Sequence, residues 1–529
     1  MADNKSIMER DELHSKIWKI ADDLRGSVDG WDFKQYVLGM LFYRYISEHL
    51  ANYLNQNEWD AGLKDFNYAS LKDEDVEHVK KETIEEQGFF IYPSELFENI
   101  RKEANNQEAK KDGKEKHDLN EKLQKIFKDI ENSAKGTKSE EKIAGLFDDI
   151  DVNSNKLGPT VLKRNERLKK LINGIADIEL GDFKDHSIDA FGDAYEYLMG
   201  MYASSAGKSG GEFFTPQEVS ELLTRIAVTG KSEIRRVYDP ACGSGSLLLK
   251  FKKILKDEEK KIHYFGQEIN ITTYNLCRIN MFLHDIGYSK FDIAHGDTLT
   301  EPKHKDDQPF DAIVSNPPYS IKWEGEDNTL LINDPRYSPA GILAPKSKAD
   351  FAFIMHSLSW LDTAALAAIV CFPGIMYRGG AEQKIRKYLI DNNYIECIIQ
   401  LPDNLFYGTQ IATCIMVLSK SKIDGNTLFI DASEDYEKAT NNNKLSDKNI
   451  EDILSYFKGR ETKKYKCYLA SKEEIESQDY NLSVSTYVEQ KDTREKVDIK
   501  ILNKELEEIV LEENKLRKDI AKIIEEIEK

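Results

Sequence analysis

At 529 residues the chain exceeds what one typical core supports, so two or three domains are expected. Hydrophobic residues make up 40% and charged residues 32%, the balance of a soluble globular protein, and no apolar run is long enough to cross a bilayer. The formal net charge of −20 excludes a chain that coats DNA through its own field. Met1-Ala2-Asp3-Asn4-Lys5 begins no secretion signal. The cysteines Cys242, Cys277, Cys371, Cys397, Cys414 and Cys467 show no metal-ligand spacing. A cytoplasmic protein with reduced thiols, no metal and no membrane is therefore expected.

Residues 1–170 read as helical. Leu13 to Arg25 repeats apolar residues at three- and four-residue spacing, and a second amphipathic run takes in Phe33, Tyr36, Val37, Met40, Leu41, Tyr43 and Ile46. From 102 to 142 the chain is dominated by Lys, Glu, Asp and Asn, with sparse apolar residues such as Leu123, Ile126 and Phe127, the pattern of a solvated helix or exposed hairpin. Lys163, Arg164, Arg167, Lys169 and Lys170 form either a solvated helix face or a phosphate-contacting patch.

Residues 171–480 alternate strand-like and helix-like patterns, which predicts an α/β domain with a parallel, Rossmann-like sheet. The strands fall at 236–238, 262–267, 291–294, 311–315, 367–372, 395–401 and 413–418, with helices at 273–284 and 350–361 among those between them. Residues 481–529 differ again. Ile499, Leu502, Leu506, Ile509, Leu516, Ile520, Ile523 and Ile527 fall on a four-three repeat among Glu and Lys, a coiled-coil-type helix that docks on a partner.

The residues that carry chemistry lie in the α/β region. Val237-Tyr238-Asp239-Pro240-Ala241-Cys242-Gly243-Ser244-Gly245 reads as a short buried strand breaking into a glycine loop that runs into a helix. Phe310 to Ser315 reads as a second strand, ending in Asn316-Pro317-Pro318-Tyr319, a loop whose two prolines fix φ. In an open α/β sheet, strand ends of this kind form the ligand-binding edge. Upstream, Thr215, Pro216 and Glu218 read as a capping box that starts a helix, with Phe213 and Phe214 just before it. Glu268 ends the next strand, at about the interval past Gly245 where nucleotide folds place an acid on ribose hydroxyls. Gly-x-Gly is followed by Ser246-Leu247-Leu248 without a third glycine, which favours an adenosyl cofactor over NAD. Asp297 ends another strand, placed to accept from the cofactor's adenine amino group. Carbon-5 cytosine chemistry needs a cysteine nucleophile, usually in a Pro-Cys pair, and the sequence has none.

The glycine loop followed by Asn-Pro-Pro-Tyr resembles the amino-methyltransferases that use S-adenosylmethionine (SAM). That resemblance implies a SAM-dependent methyltransferase sheet. It assigns Asp239, Ala241, Gly243, Ser244 and Gly245 to the cofactor, together with Phe213, Phe214, Thr215, Glu268, Asp297 and Asn316. It makes Asn316, Pro317 and Tyr319 catalytic, holding the amino group to be methylated, with Pro318, Asp350 and Phe351 at the substrate base. The order Phe213-Phe214-Thr215-Pro216, Asp239 to Gly245, then Asn316 to Tyr319 is typical of the gamma class of N6-adenine DNA methyltransferases. Ile17 to Arg25 with Leu38 to Ser47, and the closing Tyr480-Asn481-Leu482-Ser483, are similar to the modification (M) subunits of type I restriction-modification systems. Glu212 and Gln217 depart from the pattern, standing where that family has a glutamine-like and a basic residue.

The resemblance implies methylation of a flipped adenine in DNA, by two M subunits assembled with one specificity (S) subunit, a restriction (R) subunit joining for cleavage. It divides the chain into a helical domain (1–170), a catalytic domain (171–480) and a C-terminal helix (481–529) that docks on the S subunit. Delegating base recognition to the S subunit accounts for the acidic charge. Methylation of protein glutamine or ribosomal RNA, and a catalytically silent DNA-clamping scaffold, are the competing readings.

Overall fold

Apolar stripes at helical spacing fold residues 30–178 into a layer of packed helices. The computed structural model describes residues 12–17, 20, 30–106, 118–178, 190–205, 215–256, 261–406, 409–439, 442–490 and 499–528. In the Gly30–Asp60 helix, Tyr36, Val37, Met40, Leu41, Tyr43 and Ile46 are all buried. Arg44 of this helix donates to the carbonyls of Ile175 (2.6 Å) and Ile178 (2.8 Å), at and just past the C-terminal end of the Val161–Ala176 helix, and so ties the two helices together. The charged stretch is not the solvated segment expected. Leu123, Ile126, Phe127 and Ile130 of the Leu119–Ser133 helix lie in the core, so a few apolar residues on one face suffice to dock it.

The basic cluster is also partly structural. Arg164 donates to the carbonyls of Gly158 (3.1 Å) and Asn153 (2.6 Å), and Arg167 to that of Leu157 (2.6 Å), so both guanidinium groups brace their own loop.

The sheet is built from β1 (Arg236–Asp239), β2 (His263–Glu268), β3 (Phe291–His295), β4 (Phe310–Ser315), β5 (Leu361–Cys371), β6 (Ile395–Gln400), β7 (Cys414–Ser419) and β8 (Thr427–Asp431). A two-stranded ribbon, β9 (Glu437–Lys438) with β10 (Asn443–Lys444), precedes β11 (Cys467–Ala470), which closes one edge of the sheet. The order is β11-β8-β6-β7-β5-β4-β1-β2-β3. It is mixed rather than parallel: β7 runs antiparallel to both β5 and β6, and β11 antiparallel to β8. The chain winds outward from β1 through β2 to β3, then returns to place β4 on the other side of β1. Strand order therefore reverses between β1 and β4, and in doubly wound sheets a ligand crevice opens at such a switch point.

Alternating side chains along each strand serve two cores. Val237, Val314 and Ala368 face the core shared with the N-terminal helices, while Tyr238, Ile313 and Ala367 face the second. Polar ties join the helical layer to the Ile271–Leu283 helix: buried Arg278 donates to the carbonyls of Glu141 and Ala144 (both 2.9 Å), and Thr272 to Asp149 (3.0 Å). Lys142 pairs with Asp292 at 2.7 Å.

The chain forms two compact units, Met1–Val488 and Glu489–Lys529. The second holds a helix, Ile499–Ile527, whose heptad residues are all exposed, from Leu502 at 47% to Ile527 at 78%. No helix among the described residues is long and apolar enough to cross a membrane.

Candidate active site at the switch point

The carboxyl ends of β1 and β4 bring the two sequence motifs side by side. β1 ends at Asp239, and the loop after it turns through Gly243 (φ 53°) and Gly245 (φ 81°), left-handed backbone that favours glycine. A Cβ at Gly245 would lie 2.8 Å from Cys277 Sγ and 2.9 Å from Met281 Cε, so any side chain there would collide with the neighbouring helix. Gly245 then caps the Ser246–Ile254 helix.

Two carboxylates hold this loop. Glu268, at the end of β2, accepts from the Gly243 N–H (3.1 Å) and the Asn270 N–H (2.8 Å). Burial raises its carboxyl above the usual carboxylate range, and the backbone N–H groups partly offset that. Asp239 is 1% exposed, and its Oδ1 accepts from the Ala241 N–H (3.0 Å) and the Ser315 hydroxyl (2.8 Å). Its Oδ2 is buried and has no hydrogen-bond partner. Burial pushes this carboxyl up to about 7. The Ser244 carbonyl accepts from Asn280 Nδ2 at 2.9 Å.

β4 passes directly into Asn316-Pro317-Pro318-Tyr319. Asn316 Nδ2 donates to Thr215 Oγ1 at 3.1 Å, and the Tyr319 hydroxyl donates to Asn316 Oδ1 at 2.6 Å. These contacts orient the amide and correct the expected capping box. The helix starts at Gln217, with Pro216 at the cap position and no side-chain cap bond, because the Thr215 hydroxyl faces Asn316 instead. Burial holds the Tyr319 phenol well above its ordinary value, so it stays a neutral donor.

Ser320, at φ 51°, donates its N–H to both oxygens of Asp350 (3.1 and 3.2 Å), the first residue of the Asp350–Trp360 helix. Asp350 thus fixes the turn behind Tyr319. Phe351, the next residue of that helix, is completely buried in the second core. Pro318 is half-buried at the loop's surface. Asp297, beyond β3, accepts from the Leu299 N–H at 2.9 Å and lines a cleft of about 800 Å³ with Lys322, Trp323 and Lys346. Phe213 and Phe214 lie outside the described residues.

Two contributors escaped the sequence reading. Ser315 has a visible signal, a hydroxyl ending an otherwise apolar strand, whereas Asn280 sits unmarked inside a helix.

A family model described as N-6 DNA Methylase matches residues 186–496, and one described as HsdM N-terminal domain matches residues 13–175. The type I restriction enzyme MpnII methylase subunit of Mycoplasma pneumoniae is 47% identical, over 99% of this chain and 98% of its own length. The chain belongs to the N-6 DNA methylases, among the methylase subunits of type I restriction enzymes. The crystal structure of a type I restriction-modification methyltransferase subunit from Streptococcus thermophilus is 37% identical, with a TM-score of 0.80 over 91% of this chain and all of that one. A chain from a structural study of complex assembly in the type I system shares the fold, with a TM-score of 0.62 at 19% identity over 98% of each chain.

Proposed function

We propose that this chain transfers a methyl group from SAM to the exocyclic N6 amino group of a flipped adenine in DNA, as the M subunit of a type I restriction-modification complex. The observation that carries this reading is the orientation of Asn316 by Thr215 and Tyr319 beside the glycine loop.

The residues at the switch point suit SAM. Asp239 Oδ2 is a buried acceptor without a partner, the glycine loop admits close approach of a ligand to backbone, and Glu268 and Asp297 supply acceptors for ribose and adenine. Asp239, Ala241, Gly243, Ser244 and Gly245 would hold the methionine part, with Phe213, Phe214, Thr215 and Asn316 completing the pocket. Bound SAM supplies an electrophilic methyl group.

The adenine amino lone pair is delocalised into its ring and has to be localised on nitrogen before it can attack. Asn316 Oδ1 and the Pro317 backbone carbonyl accept the two amino hydrogens, and they stabilise the positive charge that develops on nitrogen. A carbonyl oxygen has two lone pairs, so Oδ1 can keep the Tyr319 hydroxyl while accepting one amino hydrogen. Tyr319 stacks on the base, which has left the duplex to reach it. Pro318 and Asp350 shape the base side, Asp350 through its hold on Ser320.

The same proposal extends to assembly. Two copies of this chain join one S subunit, to which the 481–529 segment docks, and an R subunit completes the restriction complex. The 1–170 helical and 171–480 catalytic regions serve as its other two domains. The exposed heptad seam supports the docking step. Complex formation and chemistry take place in the cytoplasm, where DNA and SAM are both present.

The test is transfer of labelled methyl from SAM to DNA by the chain with the S subunit encoded beside it, and release factor and ribosomes as competing substrates. Label recovered as N6-methyladenine supports the reading, and Asn316→Ala should abolish it (a loss of at least about 100-fold) while SAM still binds. Label in protein or RNA, or none despite complex formation, refutes it.

A further inference from the structure

The segment between Tyr319 and the Asp350–Trp360 helix contains a buried arginine that the chemistry above does not use. Arg336 is 4% exposed, yet every guanidinium hydrogen has a partner. Nη1 donates to the Thr298 carbonyl (2.7 Å) and His356 Nδ1 (3.1 Å). Nη2 donates to the Leu299 carbonyl (2.8 Å) and Asp334 Oδ2 (2.8 Å), and Nε to Asp334 Oδ1 (3.0 Å). Arginine has no acceptor, so His356 Nδ1 accepts, and the ring hydrogen sits on Nε2, 3.0 Å from the Tyr238 hydroxyl. Burial and the facing guanidinium keep His356 neutral, well below its ordinary range.

These partners belong to the cofactor side of the site. Thr298 and Leu299 follow Asp297 past the end of β3, where no strand ladder satisfies their carbonyls. The Leu299 N–H holds Asp297, and the Thr298 hydroxyl holds the Pro240 carbonyl of the glycine loop at 2.6 Å. Tyr238 immediately precedes Asp239, whose carboxyl takes the Ser315 hydroxyl next to Asn316. The loop behind Tyr319, the Asp297 loop and the glycine loop are thereby closed into one hydrogen-bonded ring, and Arg336 is its junction.

Stability alone does not require such a group. A buried ion pair contributes little compared with apolar residues of similar volume, whereas the fork geometry of a guanidinium fixes several groups at once.

We infer that Arg336 is a positioning residue of the methyl-transfer site: through the Thr298 and Leu299 carbonyls it sets the Asp297 loop from the target-base side, so that SAM affinity depends on a residue that touches neither SAM nor DNA. This assignment rests on the SAM-dependent reading above. Asp334 and His356 act through Arg336, as the groups that orient its fork.

The test compares the full-length wild type with Arg336→Lys, which keeps the charge and loses the fork, and with Asp334→Asn, which loosens one side of it. SAM affinity is measured by calorimetry without DNA, and kcat and KM for SAM are measured in the complex with the S subunit. Arg336→Lys should weaken SAM binding about 10-fold and raise KM by the same factor, with kcat at saturating SAM changed less. Asp334→Asn should shift both in the same direction by a smaller factor. Asn316→Ala, by contrast, should lose far more in kcat than in SAM affinity. A folded Arg336→Lys with wild-type SAM affinity overturns the assignment. If that variant does not fold, wild-type affinity in Asp334→Asn overturns it. Wild type that binds SAM but methylates no DNA would refute the DNA substrate and leave this test intact, whereas wild type that binds no SAM refutes both.

Discussion

Thr215 shows how one hydroxyl can be read two ways. A threonine before proline and an acid is a helix start, and only its partner across the fold, the Asn316 amide 3.1 Å away, reveals a brace instead. Thr215→Val keeps the shape and removes the acceptor, freeing the amide to rotate. We expect kcat at saturating SAM to fall about 10-fold, with Thr215→Ser restoring it; wild-type turnover in the valine variant would refute the brace. Asp239 makes a pH-dependent contribution. Its carboxyl rises from 3.8 to about 7 on burial, with the Glu268 charge adding to the effect. Between those values the native state keeps a proton that the unfolded chain has released. The stabilisation is fully present below pH 3.8 and is lost as pH rises through about 7. Asp239→Asn can keep both bonds on Oδ1 without that ionisation. The wild type should therefore lose roughly 2–3 kcal/mol more than the variant between pH 5 and 8, read from urea midpoints at both values. Parallel pH profiles would show that Asp239 does not titrate this way.

Among the elements, the strands around the site were legible to within a residue or two at most ends, because apolar runs ending in Asp, Glu, His or Ser mark both the strand and its ligand-facing end. β5 begins at Leu361, six residues before its expected start, since Asp362, Thr363 and Ala364 interrupt the apolar run where the pairing with β4 shifts register. The antiparallel sense of β7 was not legible. Its apolar sequence serves a strand buried on both faces in either direction, and only the register Cys371↔Cys414 fixes it. The helix after β2 carries a second hidden role. Arg278, 1% exposed, holds two carbonyls of the helical layer, so Arg278→Ala would leave them unpaired over a cavity. We expect a loss of at least about 3 kcal/mol in chemical unfolding, together with faster proteolysis within 118–178. Unchanged stability would mean that this tie contributes nothing.

For the whole molecule, the proposed assembly would reconcile the acidic net charge with a DNA substrate by leaving the reading of bases to another subunit. The terminal helix is where that idea can be broken. Its seam exposes eight heptad residues, and burying even two contributes about 3 kcal/mol. Removing residues 494–529 should weaken association with the S subunit by about 100-fold or more; co-purification as strong as wild type would refute the docking step. The sequence by itself determined the helical front, the α/β region, the glycine loop, Asn-Pro-Pro-Tyr and the heptad tail. Each is a local pattern, in which periodicity or fixed φ dictates what the backbone does. Only the tertiary structure decided that Thr215 braces Asn316, that Asp239 takes the Ser315 hydroxyl, that Phe351 lies sealed in the core, and that Arg336 joins three loops. Those contacts pair residues far apart along the chain, and a side chain's hydrogen-bond partner is set by where the sheet's reversal between β1 and β4 brings the loops together, not by its neighbours in sequence.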